Sequence, residues 1–147
     1  SGKLVTKVIN EANQMGNDLG KYILIIDCPP GIGCPVISSF SGTDLALIVT
    51  EPTVSGKHDL ERVLELASHF QVESLVCINK SDLDQEMTEE IISYCDNKGV
   101  EVVGQIPFDK TITEAVSLGK IPIGERNSPG TKAVKSIYNN VLKWLVD

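Results

Sequence analysis

Asp27 closes an apolar run, Tyr22-Ile23-Leu24-Ile25-Ile26, and is followed by Cys28-Pro29-Pro30-Gly31-Ile32-Gly33. A carboxylate at the end of such a run can hold Mg²⁺, or a water bound to it, beside the phosphates of a nucleotide. Gly31 and Gly33 let the next stretch of backbone approach a phosphate closely and change conformation when it leaves. The alternative is a buried strand that ends in a turn, with Asp27 capping the following helix.

Two further stretches carry groups suited to a nucleotide base. Val76-Cys77-Ile78 runs into Asn79-Lys80-Ser81-Asp82, where the Asn79 amide offers a donor and an acceptor to a purine edge and the Lys80 stem can cover the ring. N-K-x-D after an apolar strand is also the guanine signature of many GTPases, so Asp82 keeps GTP open. Its structural alternative is a turn or capping role on the way to Thr88. In Gln105-Ile106-Pro107-Phe108-Asp109, Pro107 cannot donate to a ladder, so the backbone around it can line a base pocket or simply punctuate the chain. Ser55-Gly56-Lys57 invites comparison with a phosphate loop, but His58 stands where G-x-x-x-x-G-K-[ST] needs a hydroxyl, and Thr53 or Ser55 suits the cap of a helix beginning near His58. The Ser1-Gly2-Lys3-Leu4 start fails the same test. With no phosphate loop in these 147 residues, a bound triphosphate is expected to depend on an upstream segment for its backbone amides and lysine.

The elements that must position these residues alternate in the manner of a parallel sheet. Apolar runs predict strands at Tyr22 to Asp27, Leu45 to Thr50, Glu73 to Asn79 and Glu101 to Ile106. The first of these, five apolar residues without polar alternation, is expected to be buried on both faces. Helical spacing predicts helices at His58 to Phe70, Thr88 to Lys98, Thr111 to Leu118 and Thr131 to Leu145, with a short one near Pro35 to Phe40. Leu4, Val5, Val8, Ile9 and Ala12 mark one face of an opening helix. A helix in every crossover implies right-handed connections and an α/β, doubly wound, mainly parallel sheet with helices on both faces. Neither a repeat nor a linker interrupts residues 1–147, which read as one domain or most of one, and the missing initiator Met suggests part of a longer protein.

Composition restricts the partners. Thirteen Lys and Arg against 20 Asp and Glu give a net charge of −7, which argues against broad nucleic-acid or anionic-membrane binding. There is no eighteen-residue apolar run and no secretory signal pattern, so a soluble, cytoplasmic protein is expected. Cys28, Cys34, Cys77 and Cys95 lack the paired spacing of a zinc or iron–sulfur site; Cys77 reads as core, while Cys28 and Cys34 flank the glycine loop. His58, His69, Met15 and Met87 carry no functional signal. Val134, Ile137, Tyr138, Val141, Leu142 and Leu145 form one helical stripe, with Lys132, Lys135, Lys143 and Trp144 nearby; packing against the sheet is favoured over membrane attachment.

In this order and spacing, the D-C-P-P-G-I-G loop, the segment that opens V-T-E-P-T, the I-N-K-x-D loop and the Q-I-P-F-D loop resemble the MinD/ParA/Mrp family of deviant Walker A P-loop ATPases. The resemblance covers nearly the whole chain and is closest to the branch with an inserted ferredoxin-like domain that carries [4Fe–4S] clusters. It implies a P-loop NTPase-like fold lacking its amino-terminal part, with a Mg²⁺-dependent, ATP-hydrolysing switch in the full-length protein and an inactive segment here. Asp27 would be the Walker B aspartate associated with Mg²⁺, Gly31 would approach the γ-phosphate, and Asn79 with the backbone around Pro107 would contact adenine. The same resemblance implies a homodimer, a redox or iron–sulfur partner protein, and clusters only in the ferredoxin insert that this chain lacks. A GTPase-like domain reading guanine through Asn79, Lys80 and Asp82, and a non-catalytic interaction module, remain the alternatives.

Overall fold

The computed structural model describes residues 2–125 and 127–146. Its elements in chain order are α1 (Gly2–Asp18), α2 (Cys34–Phe40), β1 (Leu45–Thr50), α3 (Val54–His69), β2 (Glu73–Asn79), α4 (Gln85–Lys98), β3 (Glu101–Ile106), α5 (Lys110–Ser117), α6 (Pro122–Glu125) and α7 (Pro129–Val146). The chain packs as two compact units: residues up to Ala46 with Glu61–Glu73, and Leu47–Leu60 with the residues from Ser74 onward.

In the first unit α2 begins with Pro35 in its opening turn, where a missing N–H costs nothing, and Gly33 accepts from the Ile37 N–H at 3.1 Å. Val36 and Phe40 on this helix bury against Ala67, with Ala46, Val63, Leu66 and Val72 around them. The Phe40 and Phe70 rings stack at 6.2 Å. Each large side chain so buried stabilises the unit by roughly 1.5–3 kcal/mol. α1 lies against α2 and buries Ile9, whereas Leu4 and Val8 of the same predicted face stay exposed.

Tyr22 to Asp27 departs from expectation. The segment belongs to no ladder, and Tyr22 is 99% and Ile25 83% exposed. An apolar run records what its two faces require, but a strand exists only where a neighbour supplies backbone partners. Among the described residues none does so for this segment.

The second unit is built on the sheet, in the order β1-β2-β3. β2 and β3 run parallel, pairing Leu75 with Glu101 and Val76 with Val102, then Cys77 with Gly104 and Asn79 with Ile106. The register shift passes over Val103, whose carbonyl accepts from Asn140 Nδ2 on α7 at 2.9 Å. Leu75, Val76, Cys77 and Ile78 are all buried, so the continuous apolar run of β2 marks a central strand. Leu47 and Val49 on β1 are exposed. All three strands in the sheet coincide with the predicted ranges, and the architecture is α/β.

α3 and α4 begin earlier than their apolar periodicity suggests, because the caps lie upstream. Thr53 Oγ1 accepts from the Gly56 N–H at 2.9 Å, and Asp84 Oδ1 accepts from the Met87 N–H at 2.9 Å. α4 ends at Gly99, whose φ of 69° permits the reversal in which Val100 N–H bonds the Cys95 carbonyl. The short α6 was not anticipated. α7 rests on β3 through Ile137, as sheet packing of the terminal helix requires, although Tyr138 and Leu145 of the stripe stay exposed. No described helix is long and apolar enough to cross a membrane.

Gly104 shows how closely α7 approaches β3. A Cβ added there would collide with Ile137 Cγ1 and lie 3.0 Å from its Cδ1. Gly104→Ala is expected to cost about 1–3 kcal/mol, read as a lowered urea midpoint. Combined with Ile137→Ala it should cost clearly less than the sum of the two single changes, because the smaller side chain removes the collision.

Candidate functional site

Parallel strands deliver the loops at their carboxyl ends to one edge of the sheet, where α/β folds place ligand-binding groups. In the second unit, three such loops are tied together by side-chain carboxylates. At the end of β2, Asn79 Nδ2 donates to Glu51 Oε1 at 3.5 Å, and Lys80 Nζ lies 2.8 Å from the same oxygen. Glu51 directly follows β1, so it links the β1 and β2 loops. Lys80 adopts a left-handed backbone with φ of 52°, a conformation that costs a non-glycine residue about 1–2 kcal/mol and needs such ties to persist.

The link to β3 is equally direct. Ser81 N–H donates to the Ile106 carbonyl at 3.0 Å, and Phe108 N–H donates to Asp82 Oδ1 at 2.6 Å. Pro107 lies between these two ties, half-buried. Thr88 Oγ1 donates to the Ser81 carbonyl at 2.8 Å and fixes the far end of the loop. Asn79, Asp82 and Pro107, three of the residues singled out in the sequence, therefore lie on loops that these bonds tie to one another: Asn79 bonds Glu51, Asp82 bonds Phe108, and Pro107 stands next to Phe108. Asp82 is not the cap of α4, which is Asp84; it is an exposed turn residue whose carboxylate takes the Phe108 N–H.

Asp109 extends the system. Its Oδ1 accepts from the Thr111 N–H and its Oδ2 from the Gly130 N–H, each at 2.9 Å. Hydrogen bonding from Ser128 first, and then from Gly130 and Thr111, holds its carboxyl down at about 2 from an ordinary 3.8. Gly130 must be glycine at this approach, since a Cβ would lie 2.8 Å from both Asp109 Cβ and Oδ2. The Ser55-Gly56-Lys57 stretch opens α3: Thr50 Oγ1 donates to the Gly56 carbonyl at 3.0 Å, and Lys57 Nζ pairs with Glu90 Oε2 at 2.8 Å.

Asp27 and Gly31 lie in the first unit. Asp27 is exposed, and Gly31 has φ of 92° with open space where a Cβ would be. A lone accessible carboxylate fits Mg²⁺, which takes one or two carboxylates and completes its shell with phosphate oxygens and water. An iron–sulfur cluster does not fit the described residues. Cys77 and Cys95 are buried, with thiols pushed up to about 11 by burial, and among the described residues no group of three or more His, Cys, Asp or Glu could hold a metal. Cys28 and Cys34 are exposed.

The family model described as "ParA: NUBPL iron-transfer P-loop NTPase" matches residues 2–142. The chain belongs to this ParA family of P-loop NTPases. An uncharacterized protein of Methanocaldococcus jannaschii is 32% identical over 145 residues, 99% of this chain and 47% of its own length. An uncharacterized ATP-binding protein of the same organism is 32% identical over 123 residues, 82% of this chain and 46% of its own. The septum site-determining protein MinD of Pyrococcus horikoshii, solved with Mg-ADP, superposes with a TM-score of 0.77 at 22% identity, over 99% of this chain and 58% of that one. At that identity the likeness is one of fold. The chain spans about half the length of the relatives it matches, and the ParA fold read from four sequence motifs is the fold observed.

Glu51, Asp84 and the capping role of Asp109 were not read from the sequence. Asp84 and Asp109 stand directly before helical segments, a visible cap signal. Glu51 gives no local signal, since its partner Asn79 is 28 positions away.

Two measurements check these ties. The depressed Asp109 carboxyl contributes stability that is complete above about pH 4 and is lost as the pH falls toward 2; in Asp109→Asn the melting temperature should lose that acid dependence. Asp82→Ala should speed hydrogen exchange at the Phe108 amide by about tenfold or more, the factor matching loss of one charge-assisted bond, while the β2 amides keep their protection.

Proposed function

We propose that residues 1–147 form the carboxyl-terminal, base-reading and switch-loop portion of a Mg²⁺-dependent, ATP-binding and ATP-hydrolysing switch protein acting in the cytoplasm. Asn79 and the backbone around Pro107 contact adenine, Asp27 orients Mg²⁺ directly or through water, and Gly31 brings its backbone to the γ-phosphate. The phosphate loop comes from a segment outside these residues, which accords with a chain spanning 47% of one relative and 46% of another. Mg²⁺, when bound, screens the phosphate oxygens and favours attack by water. In the full-length protein the switch works as a homodimer and serves a redox or iron–sulfur partner, a reading supported by the iron-transfer description of the family. Any [4Fe–4S] cluster belongs to another segment of that protein.

One observation carries the choice of adenine. A guanine reader uses both carboxylate oxygens to accept from the base, and Asp82 Oδ1 is already held by the Phe108 N–H at 2.6 Å. One relative is named as an ATP-binding protein and a structural neighbour was solved with Mg-ADP, which supports the same reading.

The test is equilibrium binding of Mg·ATP and Mg·GTP to the full-length protein. ATP should bind more tightly, and Asn79→Ala should weaken ATP by about tenfold, as loss of a base-edge hydrogen-bond pair implies. Preference for GTP, abolished by Asp82→Ala, would replace this proposal with the guanine reading. Failure to bind either nucleotide would leave an interaction module.

A further inference from the structure

The Glu51 carboxylate touches the one side chain that the proposed function assigns to the base. Its Oε1 accepts from Asn79 Nδ2 at 3.5 Å and from Lys80 Nζ at 2.8 Å. The lysine holds the acceptor in place, and the acceptor in turn determines which way the Asn79 amide faces. A carboxylate oxygen does not donate, so the amide nitrogen is the end that must point toward Glu51. The amide then has its Oδ1 and its second N–H left for a ligand, one acceptor beside one donor.

We infer that Glu51 is a specificity-determining residue of the base site: by orienting the Asn79 amide it makes the site complementary to a 6-aminopurine and mismatched to a 6-oxopurine. Adenine presents its N6 donor and N1 acceptor along its Watson–Crick edge, the complement of that amide. Guanine and hypoxanthine present the reverse there, the O6 acceptor and the N1–H donor, and would face the Asn79 Oδ1 with an oxygen. To accept them the amide must turn over, which would direct its oxygen at the Glu51 carboxylate and leave two acceptors opposed. Glu51 thus acts through Asn79 and need not touch the base.

The geometry around Glu51 supports a fixed role. Thr53 N–H donates to the Glu51 carbonyl at 2.8 Å, and a Cβ on Gly56 would collide with that same carbonyl, so the backbone bearing the carboxylate is held between the end of β1 and the first turn of α3. Pro52, directly after it, is buried.

This inference rests on the adenine reading at Asn79, and its test separates the two. Affinities for Mg·ATP and Mg·ITP are measured on the full-length protein and on its Glu51→Gln and Glu51→Ala variants. ITP differs from ATP at the 6 position and the adjoining ring N–H, and it lacks the 2-amino group that would involve Asp82. The wild-type protein should favour ATP, and both variants should lower the ATP-to-ITP affinity ratio by about tenfold, because the amide becomes free to turn. A ratio unchanged in both variants overturns the inference even if both affinities fall together, which is the signature of a merely structural ion pair. Equal binding of ATP and ITP by the wild type also overturns it while leaving ATP binding intact. Binding of neither nucleotide removes the adenine reading and this inference with it.

Discussion

Burial of β2 on both faces is the constraint on which the second unit depends. Val76 and Ile78 are fully enclosed, and Leu75 and Cys77 nearly so, which places the strand between helices and between β1 and β3. At roughly 1.5–3 kcal/mol for each large apolar side chain, this one strand supplies a stabilisation comparable with the net stability of a small domain before chain entropy is subtracted. A one-residue slip would exchange its two faces and move every side chain beyond it, so the burial also fixes the position of Asn79, Lys80, Ser81 and Asp82. Chemistry at the end of the strand inherits its precision from the apolar residues before it.

What burial cannot do is order the loops, whose backbone amides have no ladder. Here the protein relies on acidic side chains, each an acceptor with two oxygens. Glu51, Asp82, Asp84 and Asp109 take N–H donors from Asn79, Phe108, Met87, Thr111 and Gly130, and two of these carboxylates cap helices while the other two bridge loops. A net charge of −7 is therefore more than a solvated surface. Asp109, whose carboxyl is held down at about 2 by the Ser128, Gly130 and Thr111 donors, ties its loop more firmly than an exposed ion pair such as Lys7 with Glu11, which contributes little.

Legibility in the sequence followed the range of the interaction. Leu45–Thr50, Glu73–Asn79 and Glu101–Ile106 were readable to the residue because each is a short, β-branched-rich apolar run bounded by turn residues and has a neighbouring strand to pair with. Helix starts at Val54 and Gln85 were read late because the periodic apolar positions begin a turn after the caps. Tyr22 to Asp27 failed for another reason: the pattern states a need for ladder partners, and the described residues do not meet it. The individual groups Asn79, Asp82 and Pro107 were visible as chemistry, but their joining was not. Glu51 reaches Asn79 across 28 positions and Asp82 reaches Phe108 across 26, and no local pattern encodes a contact of that separation.

The two sets of proposed site residues differ in how firmly they are held, and the difference suits their tasks. Distinguishing one purine from another needs donors and acceptors fixed before the ligand arrives, since an amide that can turn accepts either base; the loops after β1, β2 and β3 are braced accordingly. A loop that answers the presence of a phosphate needs the opposite property. Gly31 sits at φ of 92°, with nothing within 4 Å of a would-be Cβ, between exposed Asp27 and Gly33. Any other residue at Gly31 would meet a left-handed backbone costing about 1–2 kcal/mol, so the glycine preserves a conformation that packing does not enforce. Braced loops at one strand end and a permissive glycine after Asp27 would suit the two tasks proposed for them, and both are written in the residue types: carboxylates where the backbone is held, glycine where the backbone takes a positive φ that packing does not enforce.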